Sequence, residues 1–180
     1  MNPIPSPNSW LVVFAHGKES GPWGSKIRHL AEIAARRGAA VLSPDYADLV
    51  SPDDRVLRLT KMALPSHQHL ILVGSSMGGY VSILASRMLK PWGLFLMAPA
   101  VYMPGYAEQC PSSEAANTAV VFGRQDAIIP VANGIRFAAE NRADLHVIEG
   151  DHRLNDQLDK VGALFDDFLA RCMRGANRGA

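Results

Sequence analysis

The sequence predicts a doubly wound α/β domain, with about six mostly parallel strands and helices on both faces of the sheet. Three observations carry this expectation. Short, β-branched apolar runs alternate along the chain with longer segments of helical spacing. The apolar runs are continuous, the pattern of strands covered on both faces. Strands that alternate with helices and return by right-handed crossovers build a parallel sheet. At roughly 150 residues per domain, 180 residues amount to one domain. A domain of this size buries enough surface to fold without a metal or disulfide staple.

Taken in order, Trp10 to Ala15 (WLVVFA) is the first buried run, followed by His16-Gly17. Residues 23–37 have helical spacing through Ile27, Leu30, Ala31 and Ala34, and Arg36-Arg37-Gly38 is a helix stop. Ala39 to Ser43 is the second strand. Ser51-Pro52 opens a helix, with Val56, Leu57 and Leu59 to Met62 inward, that closes before Pro65. Leu70 to Gly74 (LILVG) is a strand and 77–89 a helix, with Met88, Trp92 and Met97 read as core. Leu94 to Ala98, Ala119 to Gly123 and Leu145 to Ile148 complete the strands, and helical stretches at 131–141 and 156–172 follow the last two. The segment 99–118 has no periodicity, and a loop that long in a compact domain is usually functional or poorly ordered.

Eighteen basic residues against 17 acidic ones leave a formal charge of +1, without the broad electrostatic footprint of a nucleic-acid partner or an acidic membrane. No apolar run approaches the ~18 residues of a membrane span. Residues 1–9, with three prolines and no basic or apolar signal region, read as an extended arm, 10–173 as the domain and 174–180 as a flexible tail. Cys110 and Cys172 fit no zinc or redox spacing and are expected as free thiols. A cytoplasmic protein is the expectation.

The chemistry begins at Gly74-Ser75-Ser76-Met77-Gly78, a G-x-S-x-G pattern of which chance gives about 0.09 in a chain of this composition. Its context is more specific than the pattern. It follows a strand and precedes a helix, so Ser76 sits at the apex of a nucleophile elbow. Ser75 lacks the flanking glycines. A serine nucleophile needs an imidazole to take its proton and a carboxylate to orient that imidazole. Of six histidines, His29 is helical, His67 and His69 precede the third strand, His146 is within a strand and His16 leads the first loop. His152, directly after the last strand, is the candidate base. Asp126, after the fifth strand, is the candidate acid, ahead of Asp151 and of Asp45, which reads as a turn cap. Backbone donors for an oxyanion are expected from Met77, at the start of a helix, and from Lys18 in the first loop, where Gly17 allows close approach.

At these residues the chain resembles the α/β-hydrolase superfamily, from Trp10 to about Cys172. FAHG at 14–17, GSSMGG at 74–79, GRQD at 123–126 with Pro130, and GDH at 150–152 carry the likeness. The order Ser76, Asp126, His152 is the superfamily's. The resemblance implies a minimal α/β-hydrolase fold without a cap domain or the antiparallel strands that open larger members. It also implies a cofactor-free, metal-free serine hydrolase of esterase, thioesterase or amidase type acting through an acyl-enzyme. Small lidless hydrolases related to the dienelactone-hydrolase group are similar, although they carry Cys where this chain has Ser76. The implied partner is a small-molecule acyl substrate.

Tyr102, Met103, Tyr106, Trp23 and Ile128 are candidate pocket walls, each equally readable as core packing. A base that must be neutral predicts activity lost as pH falls. Two other classes stay open: a catalytically silent binding or regulatory protein on this fold, and an acyltransferase or lyase using the same residues. The sequence leaves the oligomeric state and the acyl length open.

Overall fold

The computed structural model describes residues 8–176. Six strands form one sheet: β1 (Asn8–Ala15), β2 (Ala40–Leu42), β3 (His67–Ser75), β4 (Gly93–Met97), β5 (Asn117–Gly123) and β6 (Asp144–Ile148). Every neighbouring pair is parallel, and the order across the sheet is β2-β1-β3-β4-β5-β6. Helices α1 (Ser25–Arg36), α2 (Pro52–Lys61), α3 (Met77–Leu89), α4 (Val131–Asn141) and α5 (Leu158–Ala176) connect and follow the strands.

The continuous apolar runs have the expected cause. Successive strand side chains point to opposite faces, and both faces are covered. Val12, Phe14, Ile71, Val73, Phe95 and Val121 pack with α1 and α5 in one core. The residues between them, Leu11, Val13, Leu72, Leu94, Leu96 and Val120, pack under α2, α3 and α4 in the other. Along the buried lengths of these strands, alternate residues therefore serve different cores, and both sets are apolar.

The boundaries differ from the sequence expectation in ways with clear causes. Strand β1 starts at Asn8, inside the expected arm, because Asn8 and Trp10 pair with His67 and His69 of β3. His67 and His69 therefore lie within a strand, not before it. Arg174 to Ala176, expected in the tail, continue α5, and Ala176 is buried. Residues 1–7 of the arm and 177–180 of the tail lie outside the described residues. Met97 is buried, and Trp92 is half-buried with its indole N–H donating to the Cys172 carbonyl. Met88 departs from expectation: it is 70% exposed, on the outer side of the last turn of α3. Cys110 and Cys172 are unpaired. No described helix is long and apolar enough to cross a membrane.

The segment between β4 and β5 has no regular structure but is tied down. The Glu108 amide donates to the Tyr80 hydroxyl at 3.0 Å and the Ser113 amide to Asn141 Oδ1 at 2.7 Å. Tyr106 meets Tyr80 edge-on, ring centroids 4.7 Å apart. Side-chain acceptors on α3 and α4 thus replace the backbone ladder that a periodic segment would have made.

Candidate active site

Strand β3 ends at Ser75 and α3 begins at Met77, leaving Ser76 between them at φ 55° and ψ −120°. A non-glycine residue there is strained and persists only where its surroundings fix it. The fixing is visible. The Ser76 amide donates to the Met97 carbonyl at 2.9 Å, and its carbonyl accepts from Gly79, Tyr80 and Ala100 at 2.9, 3.3 and 3.0 Å. Two glycines make the turn sterically feasible. A Cβ at Gly74 would lie 2.6 Å from the Gly79 Cα, and one at Gly78 would overlap the Ala15 carbonyl and approach the His16 carbonyl to 2.7 Å.

The loops after β5 and β6 converge on this turn. His152 Nε2 lies 3.0 Å from Ser76 Oγ, and His152 Nδ1 lies 2.8 Å from Asp126 Oδ2. Asp126 Oδ1 accepts from the Ile128 and Ile129 amides, both at 2.8 Å, in a side chain with no exposed surface. With Oδ1 committed to two donors, Oδ2 orients the ring. A proton on Nδ1 donates to it and leaves Nε2 free to accept from the serine hydroxyl. The competing carboxylates are occupied elsewhere. Asp151 Oδ1 accepts the Arg153 and Leu154 amides at 2.9 and 3.0 Å, and Asp45 caps its own turn through the Ala47 amide at 2.8 Å.

Ser76 and His152 open onto a cleft of about 640 Å³. The backbone of Met77 begins α3, where first-turn amides have no intrahelical acceptor and the helix dipole favours negative charge. Lys18 also lines the cleft, and neither the Met77 nor the Lys18 amide has a protein acceptor among the described residues. Gly17 sits against Ser76, but a Cβ there would be 3.6 Å from the Ser76 Cβ, so close approach does not require glycine as expected. No cluster of metal-ligating side chains occurs among the described residues.

No protein-family model and no curated protein sequence matches the chain. Solved structures do. A protein from Xanthomonas campestris pv. campestris, assigned to the α/β-hydrolase superfamily, is 28% identical with a TM-score of 0.81, over 92% of this chain and 99% of its own. A lidless α/β serine hydrolase from Xanthomonas campestris is 17% identical with a TM-score of 0.71, over 94% and 85%. This chain has the α/β-hydrolase fold in its minimal form, with no cap over the sheet among the described residues. Est1E from Butyrivibrio proteoclasticus has the same fold, at 15% identity and a TM-score of 0.76, over 94% of this chain and 90% of that one.

The expected pocket needs correction at two residues. Met103, Tyr106 and Ile128 line the cleft, but Trp23 and Tyr102 do not. The Tyr102 hydroxyl donates to Glu140 at 2.6 Å, and Arg136 stacks on its ring at 4.0 Å, so it is committed to α4. Trp23 is 42% exposed in the loop ahead of α1. At the rim of the cleft, Glu19 lies 3.9 Å from Arg153.

Sequence reasoning missed two residues of the candidate site. Gln125 stitches the two loops that carry Asp126 and His152. Its Oε1 accepts the Gly150 amide at 2.7 Å, and its backbone N–H donates to the Gly150 carbonyl at 3.0 Å. Lys26, on α1, lines the cleft and donates through Nζ to the Arg153 carbonyl at 2.7 Å, pinning the chain just past His152. Neither carries a sequence signal, since both are ordinary polar residues on a loop and a helix.

Burial depresses the Lys26 ammonium to about 8, against partial support from Asp151 and Asp126. The unfolded chain then holds a proton that the folded one lacks at pH values between about 8 and the ordinary lysine range. Stability from this group therefore rises with pH across that window. The expected result is that Tm of the wild type, measured relative to Lys26→Met, increases from pH 7.5 to pH 10. A constant difference would contradict it.

Proposed function

We propose that this protein is a serine hydrolase that cleaves a small ester, thioester or amide through an acyl-enzyme. The observation that carries the reading is the continuous hydrogen-bonded line from Ser76 Oγ through His152 to Asp126, at 3.0 and 2.8 Å. On this reading His152 takes the Ser76 proton as Oγ attacks the acyl carbonyl, and Asp126 stabilises the imidazolium. The Met77 and Lys18 amides receive the oxyanion, and α3 adds the positive end of its dipole. His152 then protonates the leaving group. A water activated by the same imidazole releases the acid and regenerates Ser76. No step calls on a metal or cofactor.

The cleft supports a small acyl group. Its lining includes the apolar Met103, Tyr106, Ile128 and Ile129 as well as the basic Lys18 and Arg153. A panel of p-nitrophenyl esters and acyl thioesters from acetyl to decanoyl tests this. The expected profile peaks among the shorter acyl groups, with a burst of p-nitrophenol equal to the enzyme concentration when deacylation is slow. No turnover across the panel, with folded protein, would contradict the reading.

A further inference from the structure

Arg55 is 2% exposed, yet it pairs with no carboxylate among the described residues. Asp48, in the loop ahead of α2, is held by Arg58 instead. A buried guanidinium is costly unless hydrogen bonds replace its water. Those bonds all go to backbone carbonyls. Nε donates to Leu49 at 2.9 Å, while Nη1 reaches the His16 and Gly17 carbonyls at 3.4 and 3.3 Å. The Tyr46 ring lies beneath the guanidinium, 5.7 Å from its carbon.

The Gly17 carbonyl has a second donor. The Tyr46 amide donates to His16 Nε2 at 3.1 Å, which places the ring proton on Nδ1, and Nδ1 donates to the Gly17 oxygen at 2.8 Å. His16 is itself 1% exposed, and burial holds its pKa down, so the ring stays neutral in this role. The Gly17 carbonyl belongs to the same planar peptide as the Lys18 amide. In a trans peptide the two point in opposite directions. Two donors on the buried side of that plane therefore turn the Lys18 N–H outward, on the side where Ser76 and the cleft lie.

We propose that Arg55 is a positioning residue for the oxyanion site. It fixes the orientation of the Gly17–Lys18 peptide and, as a buried cation on the carbonyl oxygen, polarises that amide into a stronger donor. This rests on the proposed serine hydrolase reading for its kinetic consequence, but the orientation of the amide is independent of it. A residue serving packing alone needs no charge at this place, and Met would fill a similar volume.

The test uses the full-length, ¹⁵N-labelled protein with two variants, Arg55→Met and Arg55→Lys. In the wild type the Lys18 amide is expected to have an order parameter of about 0.85, that of rigid backbone. In Arg55→Met its resonance is expected to shift and broaden while the Met77 amide stays in place. On a short aryl ester, kcat falls about 10- to 100-fold with KM within about twofold, approaching the loss of one oxyanion donor. Inhibition by an aryl trifluoromethyl ketone, whose adduct carries the oxyanion, weakens in proportion, and Arg55→Lys recovers most of both losses. A wild-type order parameter below about 0.6 overturns the proposal even where Arg55→Met fails to fold. So does an Arg55→Met protein with its Lys18 amide unmoved and its kcat per folded molecule within twofold. A wild type that turns over no ester refutes the hydrolase reading instead, and the amide measurement still decides the role of Arg55.

Discussion

Ser76→Ala is expected to lower kcat on a short aryl ester by about 10⁴-fold or more, with KM little changed. His152→Ala should lose a comparable factor, and the double variant should be scarcely worse than either single one. Residues that act as one relay are not additive, because removing any member disables the rest. Asp126→Asn is the more informative variant. Its carbonyl oxygen can keep the Ile128 and Ile129 amides that Oδ1 now holds, which turns the new NH₂ toward His152 Nδ1. The ring must then carry its proton on Nε2, facing Ser76, and cannot accept one. The geometry survives and the tautomer does not, so a loss of about 10⁴-fold is expected with the fold intact. Circular dichroism and Tm close to wild type, together with that loss, separate chemistry from folding. Equal losses in kcat and in folded fraction would point to a structural role.

Gly78→Ala is expected to be the most damaging glycine-to-alanine change among the described residues. The added carbon would overlap the Ala15 carbonyl and lie 2.7 Å from the His16 oxygen. Those are backbone atoms at the end of strand β1, which is paired on both sides by β2 and β3, so there is no flexible side chain to move aside. Relief requires α3 to withdraw from the sheet, at a cost of about 3 kcal/mol or more. Withdrawal would also separate Ser76 from the first loop. Gly21→Ala is the control, since nothing lies within 4 Å of its added carbon. It should change stability by no more than about 0.5 kcal/mol. Urea unfolding midpoints of the two variants check this, and equal midpoints would contradict the packing described for the elbow.

The sheet was legible because both of its faces are buried, so runs such as Trp10 to Ala15 and Leu70 to Gly74 carry no polar interruption. Where burial ends, legibility ended with it. His67 to His69 extend β3 by three residues, but this end of the strand is only partly buried and its residues are polar. Met88 was read as core for its apolar character, but it stands on the outer side of the last turn of α3, while Leu89 of the same turn packs inward. The glycine pattern around Ser76 made the elbow readable, because only glycine fits where two backbones cross. Tyr102 and Tyr106 were indistinguishable in sequence. One turned to Glu140 and the other to the cleft, and hydrogen bonds from distant elements decide which. Arg55 had no signal at all, since a charged residue at helical spacing ordinarily faces solvent, whereas here three backbone carbonyls substitute for water.

The central claim is that Ser76 is a nucleophile activated through His152. Labelling the folded protein with a fluorophosphonate probe and mapping the adduct by peptide mass spectrometry tests it most directly. The account predicts a single adduct on Ser76, formed within minutes and absent from His152→Ala. An adduct on another residue, equal labelling of the His152→Ala variant, or no labelling of the folded wild type would contradict it.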